Sequence, residues 1–196
     1  RHANRRELRD DETASDETLR LMIDLGMKYV ILSPYQADKT RAHGSQDWED
    51  ASSGDFDTTR PYSWHDTEAD GSRKKGRSIA VFFYDGPLSK AAAFDGLTKD
   101  SAAFADRVEA CYSRDHYGPQ LVSMAVDGET FGHHHKFGDM TLAHAFLHEL
   151  KGRGIETVNY GRYLADHPPV DEVIIKAGPD GEGTAWSCAH GVRRWK

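Results

Sequence analysis

The chain has 196 residues and a formal net charge of −7, a length that suits one domain with a sizeable core. The acidic balance argues against nucleic acid or an anionic membrane as a partner, because both need clustered basic surface. No apolar run of about 18 residues is present, so we expect no membrane span. The basic first residues lack the apolar segment of a secretory signal.

Helical and extended patterns alternate along the chain. Helices are predicted at residues 16–25, 88–97, 101–112, 139–152 and 160–165. Strands are predicted at residues 28–33, 78–84, 120–126, 155–158 and 172–176. Because each strand is almost continuously apolar, the pattern predicts parallel strands covered by helices on both faces. The fold class expected is therefore α/β with mainly parallel strands, too few to close a barrel of the usual kind.

One long segment departs from this alternation. Residues 38–76 contain no Ile, Leu, Val or Met, and aromatic residues stand there among polar ones. The pattern predicts a long polar loop, which inside a compact domain is usually functional or disordered. Asp85, followed by Gly86 and Pro87, is strong turn chemistry and is assigned a structural role. The whole chain, 1–196, is predicted to be one domain.

The densest set of ionisable residues lies in segment 126–135, Val-Asp-Gly-Glu-Thr-Phe-Gly-His-His-His. It falls between a predicted strand and a predicted helix, where α/β enzymes place their chemistry. Asp127 and Glu129 are paired acids, and such pairs divide the work of glycoside hydrolysis. Their close spacing favours a second acid from another strand. In the alternative interpretation, Asp127 only satisfies backbone amides of a turn and Glu129 is solvated.

Three interpretations apply to His133, His134 and His135. Two of them could bind a metal ion together with Asp127 or His190, they could contact sugar hydroxyl groups, or they could be plain surface. The absence of His-x-His or HExxH spacing favours sugar contact, so no metal is predicted.

The end of the chain offers a smaller cluster of Trp186, Cys188 and His190. The tryptophan could stack on a sugar face, the Cys–His pair could supply a nucleophile, and ordinary packing explains the cluster nearly as well. Cys111 and Cys188 are far apart and fit a reduced cytoplasmic protein, although the pattern also allows one bridge between them.

Segment 126–135 resembles the acid/base segment of glycoside hydrolase family 57, in its bacterial branch that carries a further domain of unknown function. Segments 31–37, 59–62, 79–87 and 186–191 are also similar to that branch, in matching order. The resemblance implies a distorted (β/α) barrel that acts on α-glucans by a retaining double displacement without a cofactor. It implies Asp127 as general acid/base and Glu12 as nucleophile, with their carboxyl groups about 5–5.5 Å apart.

The chain departs from the family pattern ahead of Glu12, where the charged Arg9-Asp10-Asp11 stands in place of an aromatic, apolar and proline approach. The family's opening strands are also missing, so the chain is expected to be the C-terminal part of a catalytic barrel. The substrate expected is an α-glucan or oligosaccharide, and the sequence leaves the oligomeric state undetermined. The residues expected to contact it are Glu129, His133, His134, His135, Trp186 and His190.

Two alternatives follow from these departures. The first is a truncated or degenerate sugar-binding domain without turnover. The second is a metal-dependent carbohydrate deacetylase, since such enzymes can also use Asp and His ligands on a distorted barrel.

Overall fold

The computed structural model describes residues 13–114, 118–179 and 181–186. The chain divides into two compact units, one formed by residues 1–56, 62–82 and 169–196 and the other by residues 57–61 and 83–168. In the described part of the chain, no helix has the length and apolar character needed to cross a membrane.

The first unit is built on β-sheet. Helix α1 (Asp16–Asp24) begins at Ser15, whose side chain accepts a hydrogen bond from the backbone N–H of Thr18 at 3.1 Å. A small antiparallel pair joins β1 (Thr13–Ala14) to β8 (Thr184–Ala185). The main sheet contains β2 (Tyr29–Leu32), β3 (Ala37–Ala42), β4 (Glu49–Asp50), β5 (Tyr62–Thr67), β6 (Arg73–Phe83) and β7 (Asp171–Ile175).

The main sheet has the order β2-β6-β5-β7-β3-β4 and mixes strand directions. Strand β3 is antiparallel to both β4 and β7, β5 is antiparallel to β6, and β5 is parallel to β7. The fold is therefore mixed α/β with an open sheet, and the prediction of mainly parallel strands is wrong. The reason lies in the connections: β5 returns into β6 through a short turn, and a turn of that length joins only antiparallel strands.

The prediction of a long polar loop over residues 38–76 is also wrong. This segment supplies most of β3, all of β4 and β5, and the start of β6. In β5 the side chains of Tyr62, Trp64 and Asp66 are buried in alternation, which is the period of a strand with one face on the core. The aromatic rings supply the apolar face that aliphatic side chains supply elsewhere.

The second unit is mainly helical. Its helices are α2 (Gly86–Ala93), α3 (Ser101–Glu109), α4 (Gly138–His144), α5 (Leu150–Gly152) and α6 (Tyr160–Asp166). A π-helical turn, Ala145–Glu149, connects α4 to α5 without a break. The core of this unit contains Leu88, Phe104, Ala105, Val108, Ala145 and Leu150.

Two strands predicted in the second unit do not form, since residues 120–126 and 155–158 belong to no strand. In the first of these segments, backbone groups bond to partners outside a ladder. The N–H of Leu121 donates to the carbonyl of Thr59 at 2.8 Å, and that of Ala125 donates to Ser89 Oγ at 3.1 Å. The apolar side chains of the segment pack against the helical core instead, with Val122 and Met124 in contact with it.

Asp85 has the structural role predicted for it. Its carboxylate caps α2 by accepting a hydrogen bond from the N–H of Leu88 at 2.6 Å. We expect Asp85→Ala to lower the free energy of unfolding by about 1 kcal/mol, because that amide loses its acceptor. Asp85→Asn keeps a capping oxygen and should stay close to wild type in the same urea unfolding experiment. Equal stability of the alanine variant and wild type would contradict this role.

Candidate functional site

Asp127 opens a tight turn in the second unit. It precedes the 3₁₀ turn Gly128–Thr130, and its carbonyl accepts a hydrogen bond from the N–H of Thr130 at 3.0 Å. Its side chain is exposed and makes no capping hydrogen bond. The alternative in which the Asp127 carboxylate only satisfies backbone amides therefore does not match the structure. The backbone holds the residue in place and leaves the carboxylate accessible.

The same turn brings Glu129 and the three histidines together with Asp127. The carbonyl of Glu129 accepts from the N–H of His134 at 2.9 Å, and that of Thr130 accepts from the N–H of His135 at 3.1 Å. These bonds close the segment on itself, so its ionisable side chains share one ordered surface turn.

The three histidines differ in their environments. His133 and His134 are exposed, with ring centroids 5.1 Å apart in an edge-on arrangement. His135 is half-buried, and its Nδ1 lies 2.5 Å from Thr98 Oγ1. Because that contact fixes the ring, His135 holds the turn in place while its two neighbours face solvent.

The backbone directly after the histidines is strained. Phe137 has a φ of 65°, in the left-handed region that a bulky side chain avoids, and 60% of its surface is exposed. Such a conformation costs about 1–3 kcal/mol and persists only where the surroundings impose it, as functional loops often do. Gly132, inside the turn, has a φ of 109° and needs the freedom of a residue without a Cβ.

In the described part of the chain, no group of three metal-ligating side chains includes Asp127 or the histidine triplet. The group that does occur combines His43, His65 and Glu172, in the first unit. Sequence reasoning missed these three residues. Two of them fell in a segment predicted as loop, and no spacing rule links either one to Glu172.

Several residues predicted at the site have a different standing. Glu12, Cys188 and His190 lie outside the described residues, so their roles stay predictions. Trp186 belongs to the first unit and has 50% of its surface exposed. Cys111 carries a free thiol in the second unit, and burial raises its pKa to about 12, which makes it a poor nucleophile.

A cleft of about 840 Å³ opens within the second unit. Its walls include Phe104, Phe146 and Leu150 from the helical core, with Arg162 and Asp166 among its polar members. Asp127 and the histidine triplet are not among its lining residues, although Val122 and Met124 of the preceding segment are. The chemistry-bearing turn and this cleft are therefore distinct features of the unit.

The fold resembles that of a solved enzyme. It is similar to the crystal structure of 4-α-glucanotransferase from Thermococcus litoralis, with a TM-score of 0.51 and 18% identity over 84% of this chain. The chain spans 23% of that protein's length. A comparison with curated proteins finds no match. At this identity the likeness concerns the fold, which places the chain in the structural class of glycoside hydrolase-type proteins.

The family assignment is narrower. The family model described as Glycosyl hydrolase family 57 matches residues 10–176 of the chain. The chain therefore belongs to glycosyl hydrolase family 57, and the resemblance inferred from segment 126–135 is confirmed.

Proposed function

We propose that the chain is part of an enzyme that hydrolyses or transfers α-linked glucans with retention of anomeric configuration, and that Asp127 is its general acid/base. The observation that carries this proposal is the exposed carboxylate of Asp127 at the head of an ordered turn, in a chain of family 57. General acid/base work needs a carboxyl group that substrate can reach and that no capping bond occupies.

In the proposed reaction, Asp127 first protonates the departing glycosidic oxygen while a carboxylate nucleophile attacks the anomeric carbon. It then removes a proton from water or from an acceptor sugar, which releases the covalent sugar from the nucleophile. We assign the nucleophile to Glu12. This division requires that Asp127 be protonated for the first step and ionised for the second.

We assign substrate contacts to the other polar residues of the turn. Glu129, His133 and His134 are exposed beside Asp127 and could bind sugar hydroxyl groups, and His135 would act through the position of its ring. Trp186, which is half-exposed, suits stacking on a sugar face, and His190 is assigned a hydrogen-bonding role. We also propose that the open sheet contributes to a distorted (β/α) barrel.

The stereochemistry of the product tests this proposal. Incubation with maltooligosaccharides, followed by proton NMR of the anomeric signals at early times, should show the α-anomer first. Longer oligosaccharides in the mixture would indicate transfer to an acceptor sugar. The β-anomer as first product would mean inversion and would rule out the double displacement.

A second candidate is a sugar-binding domain without turnover. The observation in its favour is that the chain spans 23% of the length of the glucanotransferase it resembles. Calorimetric binding of maltooligosaccharide with no reducing ends released would select it. The metal-dependent deacetylase has less support, because the described residues supply no three-ligand metal group at Asp127.

A further inference from the structure

Three strands of the first unit bring metal-ligating side chains together, away from the turn that carries Asp127. His65 lies in β5 and Glu172 in β7, while His43 directly follows β3. Strand β7 stands between β5 and β3 in the sheet. One possible ligand atom from each of these side chains lies within 4.8 Å of the other two.

Glu172 has one acceptor position left for a further partner. Its residue is 2% exposed. One oxygen, Oε2, accepts from Arg41 Nε at 2.9 Å and from Arg73 Nη2, and Oε1 accepts from Arg73 Nη2 at 2.6 Å. A carboxylate has about four lone-pair positions, so three hydrogen bonds leave one on Oε1. That oxygen lies 3.8 Å from His43 Nε2, too far for a hydrogen bond.

His65 supplies the second unusual feature. In the part of the chain that the structure describes, its Nε2 is the buried side-chain polar atom that has no hydrogen-bond partner. Buried polar atoms are nearly always satisfied, and an exception calls for a bound water or ion. The ring of His43 lies close by, with centroids 6.2 Å apart. An orphaned imidazole nitrogen therefore lies beside a second imidazole and a carboxylate oxygen.

The surrounding charges select the kind of ion. Arg41 and Arg73 already neutralise Glu172, so a hard cation such as Ca²⁺ or Mg²⁺, which depends on carboxylate charge, gains little here. Imidazole nitrogen instead suits Zn²⁺, Ni²⁺ and Cu²⁺. Hydrogen bonds from the two guanidinium groups would orient the carboxylate, as outer partners of metal ligands commonly do.

We propose that His43, His65 and Glu172 bind one transition-metal ion of the Zn²⁺ class and so cross-link β3, β5 and β7. Zn²⁺ takes His nitrogen and carboxylate oxygen at about 2.0–2.2 Å, so ligand atoms on a tetrahedral ion lie roughly 3.4 Å apart. The 3.8 Å between His43 and Glu172 reaches that value with a small rotation of His43, whose side chain is 41% exposed. That exposure also gives the ion a path of entry and leaves a position for water.

Calorimetric titration of the metal-free protein with Zn²⁺ tests the site. We expect one tightly bound ion per chain and a higher melting temperature in its presence, because the ion binds only the folded state. His43→Gln and His65→Gln should each weaken binding by at least roughly 10–100-fold, the loss seen when even an outer partner of a ligand is removed. The exposed ring of His43 makes that variant the one least able to disturb folding.

The matched control is His148→Gln. His144 and His148 lie in adjacent turns of one helical segment with ring centroids 4.8 Å apart, and they are another histidine pair able to hold a transition metal. This variant should keep the tight site unchanged. The proposal fails if the folded wild-type protein binds no ion. It also fails if His43→Gln binds as tightly as wild type, or if His148→Gln alone abolishes binding. None of these outcomes depends on glucan turnover, so the site and the proposed enzymatic function are tested separately.

Discussion

Asp127→Asn is expected to lower glucan turnover by about 10²–10⁴-fold, the contribution of a positioned acid/base, and to leave the fold unchanged. Asparagine has nearly the same shape but can neither donate nor recover a proton. The Asp127 side chain is exposed and makes no capping bond, so the substitution removes no structural contact of that kind. Release of reducing ends from maltooligosaccharide measures the first effect, and circular dichroism with urea unfolding measures the second.

The control for this variant is Asp139→Asn. Asp139 is another exposed aspartate, in the first turn of α4, and the proposed mechanism gives it no role. It should therefore retain full turnover. If Asp127→Asn is as active as wild type, Asp127 is not the acid/base; if both variants lose activity equally, the effect is a general one of charge near the turn.

Asp66→Asn is expected to produce the largest loss of stability. Its carboxylate is buried in β5 and accepts hydrogen bonds from Arg20 Nε at 2.8 Å, Arg77 Nε at 2.8 Å and Lys74 Nζ at 3.2 Å. Breaking a fully buried ion pair costs about 3–5 kcal/mol. The three cations are partly hydrated, so we expect a loss of about 2–3 kcal/mol in the free energy of unfolding.

Asp24→Asn is the matched control for this network. Asp24 accepts from Arg77 Nη1 at 2.7 Å, but its side chain is 57% exposed. An exposed pair contributes about 0–1 kcal/mol, so this variant should unfold almost like wild type. Equal losses in both variants would show that burial of Asp66 adds nothing to the ion pairs.

The same network predicts instability in acid. Burial alone would raise the pKa of Asp66, but the hydrogen bonds from Arg20, Arg77 and Lys74 outweigh it and hold that pKa well below its usual range. The pKa of Glu172 is lowered in the same way by Arg41 and Arg73, against the effect of burial. A lowered carboxyl pKa stabilises the folded state above the unfolded value, near pH 4, and this contribution disappears as the pH falls below it.

Urea unfolding between neutral pH and about pH 3 measures this dependence. The wild-type free energy of unfolding should fall steadily below about pH 4, and Asp66→Asn should show a shallower decline because one of the two groups no longer titrates. Identical slopes for the two proteins would remove Asp66 as a cause of the acid sensitivity.

Local patterns predicted the helices well. The apolar side chains of α1 recur at helical spacing behind a serine that can cap them, and the structure has that helix at Asp16–Asp24 with Ser15 as its N-cap. The same holds for α6, which begins at Asn159, whose side chain caps it. Capping and helical periodicity depend on residues within four positions of each other, so they can be read without knowledge of the rest of the fold.

The sheet was harder to predict because its apolar surface has an unusual source. In β5 aromatic rings alternate with polar side chains, and the pattern includes a buried aspartate at a core-facing position. A buried carboxylate is tolerated there only because Arg20, Lys74 and Arg77 reach it from elsewhere in the chain. The alternation of Tyr62 and Trp64 was the available signal for a strand.

The sequence by itself determined the family, the helices and the turn that carries Asp127, since each depends on residues adjacent in the chain. Only the tertiary structure decided the mixed strand directions and the meeting of His43, His65 and Glu172. Strand partners are chosen by packing and hydrogen bonding between distant segments, and no local pattern encodes which distant residues will face one another.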